Sequence, residues 1–146
     1  MNTPDTSPNT SRDTSRDSGI RDLERLLAGM KPELHPGRYA YCVVDDLASL
    51  SDLDPVVVVR EREGLTVVVE ERSAVEAGLE TLLVVEWITL SVHSDLEAVG
   101  LTAAFADALA AAGLSCNVVA GAFHDHLFVP AGDGRSAVQV LRNLQR

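Results

Sequence analysis

Ser91-Val92-His93-Ser94-Asp95-Leu96-Glu97-Ala98-Val99-Gly100-Leu101-Thr102 decides how this chain is read. An alternating strand runs into a polar loop, and a glycine then opens an amphipathic helix. That glycine permits close backbone approach, and the helix start offers unbonded N–H groups to an anion. Downstream, Gly113-Leu114-Ser115-Cys116-Asn117-Val118-Val119 reads as a helix stop followed by a second strand. The two segments make a strand–loop–helix–strand unit with a small polar ligand site at its switch point.

Outward from this unit the pattern stays regular. Ile88, Leu90 and Val92 share one strand face, and Trp87, Thr89 and Ser91 share the other. Leu101, Phe105, Ala108, Leu109 and Ala112 recur on one helical face. Ser115–Val119 and His124–Val129 form a hairpin about Ala120-Gly121-Ala122, and Pro130 ends it. Asp133 is the expected cap of a last helix that buries Ala137, Val140, Leu141 and Leu144. The spacing predicts helices over Ile20–Ala28, Val99–Ala112 and Asp133–Leu144. From Glu86 onward the order is strand, helix, strand, strand, helix, a βαββαβ plan lacking its last strand. Strands before residue 80, or those of a second copy, are the candidates to fill that gap.

The first half reads more loosely. Lys31–Gly37 is a turn or loop, Arg38–Val44 a strand, and Asp45–Pro55 a connection with room for one helical turn. Two valine-rich strands, Pro55–Arg60 and Leu65–Glu70, flank the turn Glu61-Arg62-Glu63-Gly64. Ser73 and Glu76 have the spacing of a capping box, so a short helix follows and ends near Gly78. The fold class is α+β, with tandem ferredoxin-like half-domains and mainly antiparallel sheets. Residues 1–18 are a polar, disordered tail, 19–80 the N-terminal half-domain and 81–146 the C-terminal domain.

Composition bounds function. Of 146 residues, 46% are hydrophobic and only 4% aromatic, so the core is built of Val, Leu and Ala. A net charge of −10 argues against nucleic acid and against an anionic membrane surface. The two cysteines, Cys42 and Cys116, sit in apolar runs and read as reduced, buried residues. With no apolar run of membrane length and no basic start, the expected location is the cytoplasm.

The stretch from Trp87 to Pro130 resembles the ACT domain. Ser115–Gly121 and Phe123–Pro130 are closest to small bacterial proteins with paired ACT-like units and no established activity, related to the CASTOR-type amino-acid sensors. The usual Pro-Gly at the helix start is Val99-Gly100 here. The resemblance implies a regulatory module, not an enzyme, that uses no cofactor and binds a small molecule, usually an amino acid. It places that ligand against His93, Ser94, Asp95, Val99 and Gly100 of the loop, and against Asn117 and Val118 of a neighbouring strand. The chemistry agrees. N–H groups near Gly100 suit a carboxylate, Asp95 suits an ammonium, and Asn117 can donate or accept. Asp95 as a helix cap and Asn117 as a backbone-bonding edge residue are the plain alternatives.

His124 and Asp125 are read as shaping the pocket beside the loop. His124 and His126 also allow a metal-dependent enzyme, which needs a third ligand such as His93 or Glu97. A dimerising interaction protein with a vestigial pocket is the other alternative. No serine or cysteine has the setting of a nucleophile. Partners are thus a small molecule and, through an uncovered sheet edge, a second copy in a homodimer.

Overall fold

The computed structural model describes residues 22–92 and 99–146. Helix α1 is described over residues 22–29. Strands β1 (Lys31–Leu34) and β2 (Tyr39–Val44) follow, then a 3-10 turn (Leu47–Leu50). Next come β3 (Val57–Arg60), β4 (Leu65–Glu70), α2 (Glu71–Glu76) and β5 (Leu83–Ser91). The chain finishes with α3 (Leu101–Ala111), β6 (Asn117–Ala120), β7 (Asp125–Pro130) and α4 (Gly134–Asn143).

Among the described residues, seven strands join one sheet, and every pairing is antiparallel. Strand β5 organises it. Its first residues, Leu83–Val85, pair with Tyr41–Tyr39 of β2, and its last, Ile88–Ser91, pair with Leu34–Lys31 of β1 on the same edge. Its other edge carries β7.

Two βαββαβ units therefore share this strand. In the first, β2, the 3-10 turn, β3, β4, α2 and β5 lie in the spatial order β3-β4-β2-β5. In the second, β5, α3, β6, β7 and α4 lack a final strand, and β1 occupies its place beside β5. The gap in the C-terminal plan is filled from within the chain.

The segment Lys31–Leu34 is thus a strand, not the turn or loop that its composition suggests. Pro32 cannot donate to a ladder, but β1 pairs on one side only, and an edge strand tolerates that loss. Two smaller corrections share one cause, tertiary contacts overriding local signals. Helix α2 starts at Glu71, whose N–H donates to Arg38 O at 3.0 Å, so Ser73 lies inside the helix instead of capping it. Asp133 stands at the N-cap of α4 without a side-chain capping bond. Glu86 of β5 does that work: its Oε2 accepts the N–H groups of Gly132 and Gly134, each at 2.8 Å. A Cβ on Gly134 would lie 2.9 Å from the Glu86 carboxylate and from Leu34 Cδ1, so glycine there admits the approach.

Glu86→Ala removes two charge-assisted bonds at a helix N-terminus. It is expected to cost about 1.5–3 kcal/mol in urea unfolding, and a cost near zero would contradict this capping role.

Helices cover one face of the sheet. Under the second unit, Phe105, Leu109, Ile88, Leu90, Leu127, Leu141 and Met30 are fully buried in one cluster. Ala40, Cys42, Val67, Val69 and Ala74 form the smaller core of the first unit. The opposite face carries Tyr39, Val68, Val85 and Phe128, buried with Trp87, Tyr41, Val57 and Val119 packed on them.

Candidate functional site

Register brings several of the sequence-derived positions to one end of the sheet. Ser91, the last residue of β5, is opposite Lys31, while Leu90 and Ala120 both pair with Asp125. The β5–α3 connection, the start of β1 and the β6–β7 turn therefore share that end. His93, Ser94, Asp95 and Glu97 lie outside the described residues. Val99 is 90% exposed. Gly100 has φ +96°, a left-handed conformation that disfavours a side chain, and it is the N-cap of α3 without a side-chain cap. The first helical bond is Ala104 N–H to Gly100 O, so the N–H groups of Leu101, Thr102 and Ala103 have no acceptor within the helix. Leu23 of α1 lies beneath, 3.4 Å from where a Cβ of Gly100 would sit.

His124 and Asp125 stand at the β6–β7 turn, at the same end of the sheet. His124 is half-buried, and its Nδ1 is enclosed with no hydrogen-bond partner among the described residues. Burial pushes the Asp125 carboxyl up, and neighbouring His126 pulls it down. A desolvated carboxylate gains most from a cationic or hydrogen-bond-donating partner. Asn117 and Val118 stand further along the hairpin, opposite Phe128 and Leu127. Asn117 is exposed, whereas Val118 packs on the helix-side core that holds Leu109 and Leu127. Successive strand residues point to opposite faces, so these two do not present side chains to one ligand from one face.

The structure adds a cluster that sequence reading missed. On the helix-free face, His35 stacks on Trp87 with ring centroids 3.5 Å apart and planes 7° from parallel. Thr89, only 6% exposed, has its Oγ1 2.7 Å from His35 Nε2 and 3.1 Å from His126 Nδ1. The indole N–H of Trp87 donates to the same His126 Nδ1 at 3.1 Å. Burial lowers the pKa of both histidines. Nearby His124 and His35 lower that of His126 further, while Asp125 raises it; Glu33 raises that of His35. Trp87 and Thr89 were visible as one strand face and His124 and His126 as a spaced pair. The missing signal was the register that sets β1, β5 and β7 side by side.

Both cysteines are free thiols, and burial pushes Cys116 up to about 11, which keeps it protonated. Among the described residues no group of three or more His, Cys, Asp or Glu is placed to hold a metal ion. Among them, no helix is long and apolar enough to cross a membrane.

ACT domain models match residues 18–86 and residues 84–143, the two spans meeting inside β5. A Vibrio cholerae protein of unknown function, described as a possible transport protein, is 48% identical with a TM-score of 0.80, over 88% of this chain and 99% of that one. The chain belongs to the ACT domain family. Further members of the fold are more distant in sequence. An Agobacterium tumefaciens protein is 18% identical with a TM-score of 0.61, covering 80% of this chain and 89% of that one. The ligand-free regulatory subunit of aspartate kinase from Thermus thermophilus is 11% identical with a TM-score of 0.61, covering 77% and 95%. At these identities the ACT fold is what the proteins share. No curated protein matches this chain.

Proposed function

We propose that this ACT protein is a regulatory module that binds an amino acid at the β5–α3 end of its sheet and performs no chemistry on it. The observation that carries the reading is Gly100: a left-handed glycine, without a capping side chain, at the opening of α3. In this reading the ligand carboxylate meets the N–H groups of Leu101–Ala103, where the helix dipole favours negative charge. Asp95 takes the ammonium, and His93, Ser94 and Val99 complete the loop. His124 and Asp125 close the site from the β6–β7 turn. Asn117, on the outer strand β6, serves a site formed with a neighbouring domain in a homodimer. The shared fold with an aspartate kinase regulatory subunit supports a regulatory role.

A thermal-shift screen against the proteinogenic amino acids tests this. A ligand at about 100 times its Kd stabilises the native state by about 2.7 kcal/mol, which for a domain of this size raises Tm by several degrees. One or a few chemically related amino acids are expected to do so, on a species of dimer mass by light scattering. A flat response to the whole set contradicts the reading.

A further inference from the structure

The cluster on the helix-free face links three strands through side chains: His35 follows β1, Trp87 and Thr89 stand on β5, and His126 on β7. One of its hydrogen bonds has a fixed polarity. An indole N–H can only donate, so His126 Nδ1 must present its lone pair to Trp87. His126 is then neutral, with its proton on Nε2. Thr89 lies within bonding distance of that same bare Nδ1 and of His35 Nε2. Nδ1 has one lone pair, so the Thr89 hydroxyl either shares it with the indole as a second donor or donates to His35 Nε2.

Protonating His126 puts a hydrogen on Nδ1. Thr89 can adapt by rotating its hydroxyl and accepting. Trp87 cannot, because it has no lone pair to offer. The indole must leave, and His35, stacked on it at 3.5 Å, loses its seat. His35 is the residue that continues β1, through its N–H to Trp87 O at 2.9 Å. Among the described residues β1 has no second neighbour in the sheet, so beyond this bond its end is held by the Leu34–Ile88 step of its ladder and by packing on α4.

We propose that His126 is a proton-operated latch: uptake of one proton at Nδ1 breaks the bond from Trp87 and loosens β1 from the shared strand β5. The ionisable groups around it are His35, which follows β1 and has Glu33 of that strand as its own neighbour, and His124 and Asp125 on its own turn and strand; β5 faces it with uncharged Trp87 and Thr89. Three histidines gathered in a half-buried patch oppose added positive charge, and the Asp125 carboxylate favours it. Burial and the other histidines dominate, so His126 takes its proton below the ordinary histidine value of 6.5. The latch stands on the polarity of the Trp87–His126 hydrogen bond.

Trp87 is the only tryptophan, so its indole N–H is a single resonance in a nitrogen-15 spectrum of the whole chain. Titration from about pH 7.5 to about pH 5 should show His126 as the Nε2–H tautomer at the start. The indole signal should then shift in one step with the His126 imidazole. Amide exchange at Glu33 and His35 should become about tenfold faster, corrected for the intrinsic pH effect, while β2 is unchanged. His126→Asn offers an acceptor that does not titrate and should abolish the indole step; His35→Gln should keep it. An Nδ1–H tautomer near neutral pH, or an indole signal that ignores the His126 titration, overturns the latch. If His126→Asn does not fold, the unmodified chain decides by those same two signals.

Discussion

Phe105→Ala is expected to remove about 3–5 kcal/mol of stability, a large part of the 5–15 kcal/mol that holds a typical domain together. Phe105 has no exposed surface and is among the largest buried side chains. It stands on the inward face of α3 in the cluster with Ile88, Leu90, Leu127 and Leu141. Truncation leaves a cavity that packed strands cannot collapse to fill. Because β5 belongs to both units, damage to its helix-side packing should reach both. Urea transitions followed by Trp87 fluorescence, on the other face, and by far-ultraviolet circular dichroism should therefore move together. Val75→Ala, at a side chain 70% exposed, is the control and should change stability by less than about 0.5 kcal/mol. A cost below about 1 kcal/mol for Phe105→Ala would show that α3 is not packed as described.

Gly100→Val is expected to abolish the amino-acid response while leaving a folded protein. Space is not the obstacle, since a Cβ there would meet Leu23 at ordinary contact distances of 3.4 and 3.7 Å. The backbone is. At φ +96° a β-branched residue is strained by about 1–3 kcal/mol, so the loop is expected to relax away from this conformation. The N–H groups that open α3 would then point elsewhere, and affinity should fall more than tenfold. Gly100→Ala should lie between the parent and valine. Isothermal titration measures the affinities, and a single melting transition without ligand confirms folding. Equal affinity in all three proteins would place the ligand away from Gly100.

What was legible in the sequence is what local pattern determines. The alternation Ile88–Leu90–Val92, the glycine turn at Gly64 and the helical spacing from Leu101 to Ala112 each appear in the structure as β5, the β3–β4 hairpin and α3. Features set by distant partners were not legible. Lys31-Pro32-Glu33-Leu34 has the composition of a turn and becomes a strand only because the far half of β5 offers an uncovered edge. Ser73 and Asp133 look like caps, but Arg38 O and the Glu86 carboxylate already bond the helix starts they would serve. The site divides the same way. Gly100 announces itself as a glycine at a strand-to-helix passage, and its positive φ follows. The His35–Thr89–His126–Trp87 cluster needs the register of three strands, which no local pattern carries.

The proposed ligand site of this ACT protein lies where β5 passes into α3. Backbone amide shift mapping tests it most directly, with the amino acid that gives the largest thermal shift added to about 10 mM. The perturbed amides are expected to cluster at Ser91, Gly100–Ala103 and Gly121–Asp125, with the helix-free cluster and the first unit little changed. Perturbations confined to another surface, such as the groove between Pro32–Leu34 and the Arg135, Gln139 and Arg142 face of α4, would contradict it.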